Sequence, residues 1–179
     1  MSWRSIAVVM MLAGMAVLYG CGGGSGGSGY IAIPHSTQAV VSFSAISSAH
    51  PPVQISGINV TVTLPSGVSV STESGTSQIS SSALVAGSAL DSLPAGNKMV
   101  LGSYDSATQR VSISAIGTSS FGSGEYARLT CTVAAGTTLS QSGIVALNTP
   151  PAAFQVFGYD NNNNTVPLTA YFIPQFALK

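Results

Sequence analysis

Two cysteines, two histidines and five carboxylates are the residues of this chain that could do covalent, metal-binding or acid–base chemistry. Their spacing assembles no reaction centre. Cys131 alternates with Leu129 and Val133 in a strand-like stretch, which places its thiol on an apolar face, where a free cysteine behaves as a small hydrophobe. No histidine or basic neighbour is positioned to lower its pKa. His35 and His50 each lie beside a proline and have no carboxylate near them in sequence, whereas a metal site needs three or four ligands. The acids Glu73, Asp91, Asp105, Glu125 and Asp160 are scattered. A hydrolase would have to use carboxylates such as Glu125 and Asp105, and these do not pair in sequence. Asp160 followed by Asn161 to Asn164 has the look of a calcium loop, but it lacks the glycine and the closing glutamate of an EF-hand and reads as a polar turn. No glycine-rich loop leads into a helix to cradle phosphate, and no G-x-S-x-G elbow is present. The expectation is a non-enzymatic chain without metal or cofactor.

Cys21 stands in a different setting. Arg4 gives a short positive start, and Ile6 to Leu18 form an uncharged apolar run. That run is too short for a transmembrane helix of about 20 residues and fits an export signal. The sequence Leu18-Tyr19-Gly20-Cys21 resembles the lipobox of bacterial lipoproteins, with Tyr19 where small residues are usual. That resemblance implies removal of residues 1–20 and acylation, including palmitate, of Cys21. Two or more acyl chains, at about 0.8 kcal/mol per buried CH2, make a stable membrane anchor. The alternative is an ordinary secretory signal with Cys21 merely nearby. Residues 21–29 are the cysteine and a Gly/Ser run suited to a tether, whose eight Gly and Ser residues would span roughly 15 Å. In the lipoprotein family an Asp after the cysteine retains the protein at the inner membrane. Gly22 occupies that place, so the expected location is the cell envelope at the outer membrane.

The elements that would carry any function lie in residues 30–179, a length suited to one domain. Only 6% of the chain is charged, and Lys98, Arg110, Arg128 and Lys179 nearly balance the five acids. No basic patch exists to release counterions from a phosphate backbone, so no nucleic-acid partner is expected. Apolar–polar alternation bounded by Gly, Pro, Asn and Ser dominates, which is the signature of strands. It predicts strands over 38–46, 58–64 and 68–70, a hairpin of 99–104 with 109–115, and strands over 125–133, 144–147, 154–159 and 165–172. The stretch 79–86 reads as strand or helical turn. Eight or nine short strands at this spacing describe an all-β, single β-sandwich of jelly-roll type.

Three stretches resemble cohesin domains and related carbohydrate-binding-module sandwiches. They are Ser56 to Leu64 followed by Pro65-Ser66-Gly67-Val68, then Gly122-Ser123-Gly124-Glu125-Tyr126-Ala127-Arg128-Leu129, and the turn from Asp160 to Thr165 followed by Val166-Pro167-Leu168. The cohesin likeness implies a protein partner, dockerin-like or another envelope protein, held by the outward face of the 58–64 strand. The matching positions are Asn59 and Thr61, although an acidic residue is common in the family near the latter. The alternative implied by the second likeness is a polysaccharide ligand, with Tyr104, Tyr126, Tyr159 or Tyr171 as stacking rings. A further alternative is a structural envelope component with no discrete ligand.

Overall fold

A computed structural model describes residues 38–179. The export signal, Cys21, the Gly/Ser run and His35 lie outside the described residues. Ten strands follow in order: β1 (Gln38–Ser47), β2 (Ile55–Thr63), β3 (Val68–Val70), β4 (Leu84–Ala86), β5 (Lys98–Asp105), β6 (Arg110–Phe121), β7 (Gly124–Val133), β8 (Ala153–Tyr159), β9 (Thr165–Pro167) and β10 (Phe172–Leu178). One helix, α1 (Gln141–Leu147), interrupts the series between β7 and β8. The strands form two antiparallel five-stranded sheets. The first has the order β10-β1-β7-β3 with β4 also on β7, and the second β5-β6-β2-β8-β9. The chain is an all-β sandwich.

Alternation explains why these segments are strands and why two sheets close on one another. In β2 the side chains of Ile58, Val60 and Val62 are buried, while those of Asn59, Thr61 and Thr63 are half-buried on the other face. β7 buries Ala127, Leu129, Cys131 and Val133 in the same way, and β6 buries Val111, Ile113 and Ala115. The inner faces of both sheets join in one hydrophobic cluster, with Phe43, Phe121 and Tyr126 among its largest members. Each fully buried Val, Leu, Ile or Phe contributes about 1.5–3 kcal/mol, which is what holds a sandwich with so few ion pairs.

Three expectations from the sequence need correction. Residues 144–147 belong to a helix and not to a strand. Ser140 caps it, its hydroxyl accepting from the Gly143 N–H at 3.1 Å, and only Ile144 of the helix is buried. The Asn148 side chain then accepts from Thr63 N–H at 2.7 Å and donates to the Thr63 carbonyl at 2.9 Å, fixing the end of α1 against β2. Second, the stretch 165–172 is not one strand. The chain leaves β9 at buried Leu168, makes a 3₁₀ turn over Thr169–Tyr171, and enters β10 in the other sheet. With β10 included there are ten strands and not eight or nine. Third, 79–86 is not strand or helical turn but both in succession: the Ser80 carbonyl accepts from the N–H groups of Ala83 at 2.9 Å and Leu84 at 3.1 Å, and β4 follows. Ile79 donates to the Gly102 carbonyl of β5 at 2.9 Å, and β4 pairs with β7, so the segment crosses from one sheet to the other and closes that flank.

The ends of the sandwich are distinct. Gln38, the first residue of β1, pairs with Thr132 near the end of β7. β3 brings Val68 beside Val133, and the turn Pro65–Gly67 links it to the end of β2. The chain therefore enters β1 at the end where β2, β5 and β7 finish. Phe121–Gly124 and residues 48–54 make turns at the opposite end.

Candidate functional site

The outer face of the β5-β6-β2-β8-β9 sheet is where the chemistry of the described residues converges into a surface. The register orders its side chains into rows running across the strands. Toward the end away from the start of β1 runs the row Met99, Ile116, Gly57, Phe157 and Pro167. The next is Leu101, Ser114, Asn59 and Gln155, and the third is Ser103, Ser112, Thr61 and Ala153. Asp105, Arg110 and Thr63 close the face at the end where β1 begins. An apolar row at one end thus gives way to hydroxyls and amides, and formal charge is confined to the last row.

The apolar row is exposed where it would be used. Met99 is 48% accessible, Leu101 46% and Ile116 37%, and Tyr159 beside the row reaches 48%. Phe157 is half-buried because its ring lies across Gly57. A β-carbon built on Gly57 would stand 2.1 Å from Phe157 Cζ and within 2.7 Å of both Cε atoms. A side chain at Gly57 would therefore displace the Phe157 ring from this position. Tyr159 stands nearly perpendicular to Phe157, at 78° with ring centres 6.2 Å apart, an edge-to-face pair. Between β5 and the 77–78 segment lies a shallow hollow of about 350 Å³ lined by Ser77, Gln78, Leu101, Ser103, Ser112 and Ser114.

Asn59 and Thr61 lie on this face, as the alternation required, but half-buried at its centre. Thr61 Oγ1 is 3.0 Å from Ser112 Oγ, a pair across the strands. The tyrosines divide. Tyr104 and Tyr126 are buried and Tyr171 is packed against the core, so among the four only Tyr159 is open. What sequence reading missed is the row through Met99, Ile116 and Phe157. Its signal was the glycine in β2, whose need becomes legible only once Phe157 is known to sit opposite.

The other reactive groups do not meet. Cys131 is fully buried, and burial pushes its thiol up to about 12. His50 is exposed in the β1–β2 connection. Asp105 sits in the β5–β6 turn, accepting from Thr108 Oγ1 at 2.6 Å and Ala107 N–H at 2.9 Å, which hold its carboxyl below the usual aspartate range. Glu125 is in the other sheet, ion-paired with Arg128 Nε at 3.0 Å and with Lys179. The two carboxylates weighed for catalysis are in opposite sheets and at opposite ends of the sandwich. Asp160 accepts from the backbone of Asn162 and Asn164 at 2.8 Å each and from Asn164 Nδ2 at 3.0 Å, so its oxygens serve the turn. Among the described residues no group of three His, Cys, Asp or Glu side chains is placed to hold a metal ion.

No protein-family model, curated protein or solved structure matches this chain.

Proposed function

We propose that this chain is a non-enzymatic binding module, anchored in the bacterial envelope through lipid on Cys21, that presents the outer face of its β5-β6-β2-β8-β9 sheet to a protein partner. The observation that carries the reading is the row Met99–Ile116–Phe157 with Leu101 beside it. Met99, Ile116 and Leu101 are exposed together on the sheet face, with half-buried Phe157 in the same row and no ionised groups among them. Exposed Met and aromatic groups with charge depleted at the centre are the composition of interface cores. Asn59, Thr61, Ser112 and Gln155 supply the polar surround. The row lies in the half of the sheet away from the entry of the tether segment, facing outward from a membrane-bound anchor. The cohesin-like character of the sequence agrees with a protein ligand, which need not be a dockerin, since Thr61 stands where an acidic residue is common.

Cross-linking and pull-down of the full chain from detergent-solubilised envelopes tests this. Wild type should retain a discrete envelope protein, and the double variant Met99→Glu/Ile116→Glu should lose it while keeping its β-sheet circular dichroism. Undiminished capture by that variant would refute the assignment of the face.

A further inference from the structure

Removal of residues 1–20 would leave Met99 as the only methionine of the chain. The fold treats the two sulfur-bearing side chains of the described residues in opposite ways. Cys131 is fully buried, and burial pushes its thiol up to about 12, so it is enclosed and protonated at neutral pH. Met99 is 48% exposed on β5, in register with Ile116 and grouped with exposed Leu101. Methionine often serves as an adaptable filler of core gaps. That role does not fit Met99, which is no member of the hydrophobic cluster. The cation nearest in sequence is turned elsewhere, since Lys98 Nζ donates to the Leu90 carbonyl at 3.1 Å and pairs with Asp91 at 3.5 Å. Across the row from Met99, the residues Ile116, Gly57, Phe157 and Pro167 carry no side-chain donor.

We propose that Met99 is an oxidation site that switches the binding face: a peroxide converts its thioether to the sulfoxide, and the protein partner is released. The inference rests on this face being the partner surface. In the reaction a sulfur lone pair forms the S–O bond, the O–O bond of hydrogen peroxide breaks, and water leaves with both peroxide hydrogens. Sulfur is oxidised by two electrons and the peroxide is reduced by two. Reversal takes a methionine sulfoxide reductase and a dithiol, which becomes a disulfide as the oxygen departs in water. The product puts a polar acceptor where an apolar side chain stood. In a closed interface that oxygen loses water and gains no donor from its own row, a cost borne by the bound state alone. In the free protein it stays hydrated at an exposed position, and the fold is untouched. The envelope location proposed above lies outside the reducing cytosol, where thiol pools do not protect the side chain.

The test treats the purified full chain in detergent with hydrogen peroxide, removes the peroxide with catalase, and then measures capture from untreated envelope extract. Peptide mass spectrometry should find a gain of about 16 Da, one oxygen, on Met99 and none on Cys131. Capture should fall about tenfold, the scale of one interface side chain made unfit, with unchanged circular dichroism. Reductases for both sulfoxide epimers, supplied with dithiothreitol, should restore it. Met99→Leu, whatever its own starting level, should capture equally before and after peroxide. Oxygen on Cys131 ahead of Met99, undiminished capture by the sulfoxide form, or a peroxide-dependent loss that persists in Met99→Leu would each overturn the switch alone. Absence of any captured protein before treatment would remove the partner reading, and the switch with it.

Discussion

Tyr126 combines a fully buried ring with an unsatisfied hydroxyl. It sits in β7 where the pairing with β1 shifts register between Phe43 and Ser44, and its ring lies 6.5 Å from that of Phe43 in the core. Its hydroxyl is fully buried and has no hydrogen-bond partner among the described residues. Burial also drives its pKa far upward. An unsatisfied buried hydroxyl costs on the order of 1–3 kcal/mol, whereas the ring itself fills core volume. Tyr126→Phe should therefore raise stability by about 1 kcal/mol in urea unfolding, and Tyr126→Ala should lower it by about 3–5 kcal/mol. A loss of stability in Tyr126→Phe would mean that the hydroxyl does have a partner. Asp105 and Asp160 make the opposite case, being exposed yet fully used. Thr108 first and Ala107 next hold the Asp105 carboxyl below the ordinary aspartate range, and the Asn164 side chain leads for Asp160. Because both folded-state values are depressed, the stability these turns contribute is complete above the ordinary value of 3.8 and is lost as pH falls through the folded values. Melting temperature should decline as pH falls below the ordinary value of 3.8. The double variant Asp105→Asn/Asp160→Asn should melt lower at neutral pH but show a flatter decline over that window. A decline as steep as that of wild type would place the acid-sensitive groups elsewhere.

At the scale of elements, the unpaired edges are what the fold has to manage. One flank is closed by the 77–86 segment, which pairs with β5 and then with β7. On the other flank β10 and β9 are edge strands. The bonds from Ser48 N–H to the Tyr171 carbonyl and from Lys179 N–H to the Val40 carbonyl set the parity of β10. Ile173, Gln175 and Ala177 bond to β1, so Phe172, Pro174, Phe176 and Leu178 turn their backbone groups outward. Around β9, the Asp160–Asn164 and Leu168–Val156 bonds set the parity in the same way and leave Thr165 and Pro167 facing out. Each open edge thus carries a proline at a position where an outward N–H would otherwise invite another strand. Pro167→Val/Pro174→Val should keep the circular dichroism of the fold while associating with rising concentration in analytical ultracentrifugation. A double variant that stays monomeric over the same range as wild type would deny the prolines this role. These same prolines made the C-terminal region hard to read from sequence. Strands with clean two-residue alternation, such as 58–64 and 125–133, were legible because burial on one face alone determines them. β10 was not, because Pro174 interrupts an otherwise regular Phe172–Phe176 alternation and is tolerated only at an edge. α1 was misread because four apolar-rich residues suit strand and helix equally, and the Ser140 cap, not periodicity, decides between them. Asn59 and Thr61 were placed on the correct face by alternation. The apolar row next to them depends on which strands become neighbours, and that information is not local.

For the whole molecule, the question is how a lipid on Cys21 would orient the proposed binding face. The chain enters β1 at Gln38, at the end where charge and hydroxyls lie on the β5-β6-β2-β8-β9 face, and the Met99–Ile116–Phe157 row lies toward the other end. If Cys21 carries lipid, the polar half of that face is nearest the headgroups and the apolar half is farthest from them. That orientation keeps the exposed apolar side chains from competing for the bilayer, and it makes access by a large partner depend on clearance from the membrane. Radiolabelled palmitate should mark the wild type and not Cys21→Ser, and Cys21→Ser should leave the membrane fraction on sedimentation. Label on both would sink the anchor. Clearance is then tested by deleting residues 22–29, which removes a reach of about 15 Å. The deletion should keep palmitate incorporation and keep partner capture in detergent, where no bilayer intervenes. On intact vesicles it should reduce capture, because the partner must then approach a face held close to the lipid. Equal capture on vesicles by the deletion and the wild type would show that the face stands clear of the membrane without help from the glycines, and the row would have to be reached from the distal end alone.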